Sequence, residues 1–272
     1  MMTYTMARGL AAGEGFSVPW LCEFPREMGI DAIDWVTLYG HDPAEVRRIT
    51  DDFGLANVCY TFFADLNFAS ANDRAPGAEE FRRGIDAAVT LGADKIMLPI
   101  SGKPPLTRDE SRLNWIAGLK DVIGYADDAG VTVTVEHFPN PASPFIISSD
   151  MNQAIAEVPQ LRVTLDSGNC VTAGEAAVDA YLNSADKIVH AHFKDFEQCV
   201  EGDAGAWQGL SGNWYRGTLV GEGVVDNETL AKAMVEKGYD GYVNFEYEGN
   251  TLTPTEATII GLQRMREWLG MA

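Results

Sequence analysis

Positive charge is scarce in this chain. Lys and Arg number 20 against 40 Asp and Glu, a formal net charge of −20 over 272 residues. Nucleic-acid affinity rests largely on phosphate neutralisation by Lys and Arg, and anionic membrane surfaces attract the same residues. Neither nucleic acid nor a membrane is therefore expected as a partner. Histidine is equally sparse, with four residues. Cys22, Cys59, Cys170 and Cys199 lie far apart, which excludes a close-paired zinc motif and a disulfide framework; buried, reduced thiols in a cytoplasmic protein are expected. No run approaches 18 apolar residues, and the opening MMTYTMARGLAAGEG lacks the basic-then-apolar pattern of a secretory signal. Walker-type loops, G-x-G-x-x-G, low-complexity tracts and interdomain linkers are also absent.

What is present is an alternation. β-rich runs fall at 30–35, 55–62, 93–100, 131–138, 161–166, 187–193 and 242–247. Helix-like patterns stand between them, at 42–54, 76–92, 107–130, 148–157, 174–184 and 226–237, with a closing one at 254–269. Asp42 and Gly54 bracket the first of these as cap and stop. A further strand near Tyr4–Ala7, with a helix around 17–28, brings the count to eight strand–helix units. Repeated β-then-α order demands a parallel sheet, and eight such units closing on themselves make a TIM barrel, an α/β (β/α)8 fold with 1–272 as a single domain.

In such a barrel, chemistry sits at the C-terminal strand ends. The fifth to eighth strands end in Glu136, Asp166, His192 and Glu246. Three carboxylates meeting in a partly desolvated mouth repel one another and are pushed toward protonation. A divalent ion removes that conflict. Oxygen ligands with one nitrogen suit Mn²⁺ or Mg²⁺, with Co²⁺ and Zn²⁺ also compatible.

These segments, VTVEHF, VTLDSGN, HAHFKD and VNFEYEG, resemble the metal-binding segments of the sugar phosphate isomerase/epimerase superfamily, the xylose isomerase-like TIM barrels. H-x-K-D at His192–Asp195 and G-E-G-x-x-D at Gly221–Asp226 fit the same pattern. The resemblance implies metal ligation by Glu136, Asp166, His192 and Glu246, with Glu136 and Glu246 as the paired catalytic acid and base. It implies a sugar isomerase or epimerase working through a metal-bound cis-enediolate on a small carbohydrate, in a homo-oligomer, dimer or tetramer. The same site suits a lyase or dehydratase of a keto-polyol or cyclic keto acid. A non-catalytic carbohydrate-binding barrel is the alternative of another class. Asn169 stands where many relatives carry His, and the Arg-Phe-Glu pattern of some ketose epimerases is missing after Glu136, which keeps the dehydratase open. The shortage of histidine speaks against an endonuclease-like three-zinc cluster.

Other residues are candidates for substrate contact. His137 follows Glu136 and is either a loop histidine or a substrate-facing acid/base. Asn169 completes the turn after Asp166. Lys194 and Asp195 either orient substrate or pair with each other, and Arg216 sits where relatives place a substrate-contacting arginine. Trp35 and Phe62, with Tyr60 and Phe63, could form an apolar wall. The stretch 196–217, rich in glycine and holding Trp207, Trp214 and Tyr215, reads as a long loop acting as lid or oligomer contact.

Overall fold

The computed structural model describes residues 1–8 and 17–271. Helices α1 (Thr3–Ala7) and α2 (Val18–Glu27) precede the first strand. The repeating part then runs β1 (Ala32–Val36), α3 (Pro43–Phe53), β2 (Ala56–Thr61), α4 (Ala71–Leu91), β3 (Lys95–Leu98), α5 (Arg108–Asp128), β4 (Thr132–Glu136), α6 (Ser148–Glu157) and β5 (Arg162–Asp166). After β5 come the short α7 (Ser167–Val171), α8 (Ala177–Ser184) and β6 (Ile188–Phe193). Three strands follow, β7 (Asp195–Cys199), β8 (Trp207–Gln208) and β9 (Trp214–Thr218), then α9 (Asn227–Glu236), β10 (Val243–Phe245) and α10 (Pro254–Trp268). The parallel sheet has the order β1-β2-β3-β4-β5-β6-β10, so consecutive βα units are neighbours around the barrel.

Local chemistry sets the boundaries. Asp42 caps α3 by accepting from the Ala44 and Glu45 amides, and Gly54 ends it at φ 66°. Thr107 with Glu110, and Thr253 with Glu256, form capping boxes at the starts of α5 and α10. Helix α4 begins at Ala71, capped by Ser70, five residues before Pro76. Pro76 lies in its second turn, where it costs one backbone hydrogen bond without stopping the helix.

One expected strand is not formed. Residues 4–7 are helical, within α1. The sheet therefore has seven strands, and the place between β10 and β1 is filled by other means. Met2 forms an isolated parallel bridge to Asp34, whose amide donates to the Met1 carbonyl at 2.9 Å. The Thr3 hydroxyl accepts from the Val36 amide at 2.9 Å and the Thr5 hydroxyl from the Tyr247 amide at 3.0 Å. Two threonine side chains thus satisfy the strand-edge donors that an eighth strand would have met. The stretch expected as a structureless loop also differs: β7, β9 and β8 form a small antiparallel sheet.

The helices bury apolar faces against the barrel. Phe62 packs edge-on to Phe81 of α4, with ring centroids 6.2 Å apart. Gly84 leaves room for it, since a Cβ there would lie 2.2 Å from the Phe62 ring. Among the described residues no helix is long and apolar enough to cross a membrane. The packing makes a paired prediction for two helical glycines. Gly124 of α5 has open space around it, so Gly124→Ala should stabilise by about 1 kcal/mol through helix propensity. Gly84→Ala should instead destabilise by about 1–3 kcal/mol through overpacking. Urea unfolding midpoints of the two variants should move in opposite directions.

Candidate metal centre

Within a strand, alternate residues face the barrel interior. Thr134 and Glu136 on β4, Thr164 and Asp166 on β5, and His190 and His192 on β6 share that face. The lower layer is tied by hydrogen bonds: the Thr134 and Thr164 hydroxyls are 2.7 Å apart, and Thr134 donates to the Ile96 carbonyl. The upper layer is chemically different. Glu136, Asp166, His192 and Glu246 each offer a ligand atom, and these atoms all lie within 4.8 Å of one another. His192 Nδ1 is 2.7 Å from Glu136 Oε1 and 3.7 Å from Glu246 Oε2. Asp166 also caps α7, accepting from the Gly168 and Asn169 amides through Oδ1, so Oδ2 is left toward the cluster.

Lys194, the first residue after β6, reaches the same point. Its Nζ is 2.9 Å from Glu246 Oε1, 3.0 Å from Asp166 Oδ2 and 3.5 Å from Glu248 Oε1. All five groups are buried. Burial is the main influence on both Asp166 and Glu246; even against the Lys194 charge, it pushes them up to about 7 and about 8. Burial also pushes Glu136 up, but the His192 hydrogen bond and charge outweigh it, and Glu136 is held below the usual carboxylate range. For His192 the order is reversed: burial disfavours the imidazolium, but hydrogen bonds to Asp34 and Glu136 outweigh it and raise its affinity for a proton. Lys194 is likewise kept charged by the carboxylates around it, against the effect of burial.

Two oxygens test whether this set suits a cation. Asp166 Oδ2 and Glu246 Oε2 are buried and accept no hydrogen bond. Asp166 Oδ2 meets Lys194 only as an ion pair. Buried carboxylate oxygens without donors carry a desolvation cost. Beside an imidazole nitrogen they suit a divalent ion held by three carboxylates and one histidine.

The other candidate residues divide into groups. Lys194 is at the centre. His137 and Asn169 brace the turn after β5: the His137 carbonyl accepts from the Asn169 side chain at 2.7 Å, and its ring Nδ1 is 3.4 Å from the Asp166 amide. Asp195 serves the loop after β9, accepting from the Phe196, Gly221, Gly223 and Val225 amides at 2.8–3.0 Å. Arg216 is on β9, half-exposed and paired with Glu197 at 2.7 Å. Trp35 and Phe62 are not brought to the cluster. Alternation turns Asp34 inward and Trp35 outward, where its indole donates to Asn57 at 2.7 Å in the layer under α3 and α4. Phe62 is outward for the same reason and packs on α4.

Sequence reasoning missed Asp34. It is fully buried, and its Oδ2 lies 2.8 Å from His192 Nε2 and 2.7 Å from His190 Nε2. The signal available was a carboxylate inside the apolar run IDAIDW.

Residues 22–268 match the family described as Xylose isomerase-like TIM barrel. Over 254 residues the chain is 24% identical to a ketose 3-epimerase of Arthrobacter globiformis, covering 88% of this chain and 81% of that protein. Over 156 residues it is 26% identical to an inosose dehydratase of Lacticaseibacillus casei, covering 54% of this chain and 50% of that one. The match therefore spans half the length of that dehydratase. The IOLI protein, solved with a zinc atom bound, shares the fold at a TM-score of 0.79 and 16% identity, over 99% of this chain and 97% of that one. By the family match over residues 22–268, the chain belongs to the xylose isomerase-like TIM barrels.

Proposed function

We propose that this protein is a divalent-metal-dependent enzyme that moves a proton next to the carbonyl of a small carbohydrate, as a sugar isomerase or epimerase. The observation that carries the reading is the convergence of Glu136, Asp166, His192 and Glu246 on one buried point. The likeness to a ketose 3-epimerase over most of both chains supports it. Glu136, Asp166, His192 and Glu246 would hold the metal, Mn²⁺ or Mg²⁺ by ligand type, with Co²⁺ and Zn²⁺ also suited. When bound, such an ion polarises a carbonyl and acidifies the neighbouring C–H.

The chain's own residues supply the rest. Glu136 and Glu246 flank His192 Nδ1 and are the acid–base pair: one carboxylate takes the proton to give an enediolate, and the other returns a proton. Return to the opposite face of the same carbon is epimerisation; return to the neighbouring carbon is isomerisation. Lys194, beside Glu246, holds that carboxylate in place and puts an ammonium next to the developing negative charge. His137 and Asn169 fix the Asp166 turn. Arg216 is the candidate contact from β9.

The inosose dehydratase relative favours a second reading at the same site. If the enediolate carries a β-hydroxyl, its loss gives dehydration of a keto-inositol or related keto-polyol. A panel of ketoses and keto-inositols assayed with Mn²⁺ separates the two: an enone-like ultraviolet product assigns the dehydratase, and an epimer or isomer without it assigns the first reading.

Two further outcomes are expected. Asp166 and Glu246 hold protons up to about 7 and about 8 without metal, and a metal must displace them. Mn²⁺ affinity should therefore rise between pH 6 and 9 with proton release that diminishes across the range. Both carboxyls also bind their proton more tightly folded than unfolded, so metal-free protein should lose stability as pH rises from the ordinary carboxylate range to about 8, and Mn²⁺ should offset that loss at the upper end. Calorimetric titration in buffers of different ionisation enthalpy measures the protons; a pH-independent affinity would count against the cluster as the binding site. In the second, Glu246→Gln should abolish solvent deuterium incorporation at the substrate carbon next to the carbonyl. Undiminished exchange would remove Glu246 from the acid–base pair.

A further inference from the structure

Beneath the four-residue cluster lies a second group that no part of the proposed reaction uses: Asp34, His190 and Asn244, facing the far side of His192. All three are buried, and they come from β1, β6 and β10. His190 and His192 meet edge to face, with centroids 5.1 Å apart and planes at 84°, and each directs Nε2 to the same oxygen, Asp34 Oδ2, at 2.7 and 2.8 Å. Asn244 Nδ2 is 3.4 Å from that oxygen and 3.1 Å from His190 Nε2. Asp34 Oδ1 has no hydrogen-bond partner. The whole grip on Asp34 is through one oxygen, and both imidazoles depend on it.

His192 has one nitrogen on each side of this arrangement. Nδ1 faces Glu136 and Glu246, and Nε2 faces Asp34. A neutral imidazole carries one proton and one lone pair, and only the lone pair can ligate a cation. With the proton on Nδ1, the lone pair would point at a carboxylate and no nitrogen donor would be left for the cluster. An ionised carboxylate only accepts hydrogen bonds. Asp34 accepts at Nε2, and at Nδ1 the Glu136 carboxylate accepts in the same way, at 2.7 Å, so without a cation both nitrogens are held toward protonation. A cation in the upper layer displaces the Nδ1 proton, and Asp34 keeps the one on Nε2. A carboxylate buried in a barrel interior costs free energy unless it is paired. Here its partners are the candidate ligand and a second imidazole that holds it from below.

We propose that Asp34 is a positioning residue for the metal centre, with His190 and Asn244 as its supports: its carboxylate fixes the tautomer and ring orientation in which His192 ligates through Nδ1. The inference rests on the metal reading of the site above.

The test uses the full chain, stripped of metal and titrated with Zn²⁺, which is diamagnetic. Long-range ¹⁵N–¹H spectra of the histidine rings read the tautomer, and a competing chelator reads the affinity. In Zn²⁺-loaded wild type, His192 should keep its proton on Nε2 and bind metal through Nδ1. Asp34→Asn, which keeps the shape of the side chain, should weaken Zn²⁺ binding by about 10–100-fold and alter the Nε2–H signature, while the metal-free thermal midpoint stays near that of wild type. Zinc bound through Nε2, or Asp34→Asn binding zinc as tightly as wild type, would overturn the role of Asp34 and leave the metal reading standing. If Asp34→Asn does not fold, the ring spectra of wild type decide alone. A wild-type protein that binds no Zn²⁺, Mn²⁺ or Mg²⁺ would overturn the metal reading itself, and the assignment of Asp34 with it.

Discussion

The arrangement of the barrel mouth depends on one charge imbalance. Asp34, Glu136, Asp166 and Glu246 are all at most 5% exposed. Against these four carboxylates stand one ammonium, Lys194, and one imidazole that can be charged, His192. Two negative charges remain among these buried groups; Glu248, which also contacts Lys194, is partly solvated and lies outside this count. Isolated charges at that depth cost several kcal/mol each, so the excess must be met by protons or by a cation. Protons are held by Asp166 and Glu246, the two groups pushed highest. A divalent ion meets the same excess without requiring two carboxyls to remain protonated near neutral pH. The ligand set and the proton affinities are thus two views of one electrostatic problem.

The scaffold solves the positional half of that problem with short-range devices. Strand register sets Asp166 beside His192, and sets Glu136 beside Thr164, two residues before Asp166 on the same inward face. Asp166 is fixed further by serving as cap of α7, which engages one oxygen and leaves the other. TIM-barrel interiors are commonly filled by branched apolar side chains. In this half of the barrel the layer below the site is polar, with a Thr134–Thr164 bond and the Asp34–His190 pair. Such a layer has directions as well as volume, so it can fix the rotation of an imidazole above it, which an aliphatic layer could not.

These features differ in how plainly the sequence carries them. The strands that carry Glu136, Asp166 and His192 are legible because each is a β-rich run with a metal-capable residue at its end or next to it, and the period of the units gives the fold. Asp34 is not legible by that rule, because it lies inside its strand and not at the end. A strand buried on both faces has no polar alternation to say which way a given residue points. For the same reason Trp35 and Phe62 read equally well as mouth or core, and only register turns them outward. The expected N-terminal strand is replaced by side-chain hydroxyls of a short helix, and no periodicity records such a substitution. Lys194 is visible as a residue, but its three carboxylate partners come from β5 and from the segment after β10, and only folding brings them together.

The small antiparallel sheet belongs to the same electrostatic arrangement. Gly217 of β9 lies so close to the backbone of Glu248 that a Cβ there would fall 2.4 Å from its carbonyl carbon, and Glu248 in turn contacts Lys194. At the other end of the connection, Asp195 accepts four backbone N–H groups and pins the 221–225 turn, with Gly223 pressed against the Phe196 carbonyl. The segment is thus held at one end by the buried Asp195 carboxylate and at the other by close backbone contact with Glu248. The loops after β1, β2 and β3 carry none of the four buried carboxylates, His192 or Lys194.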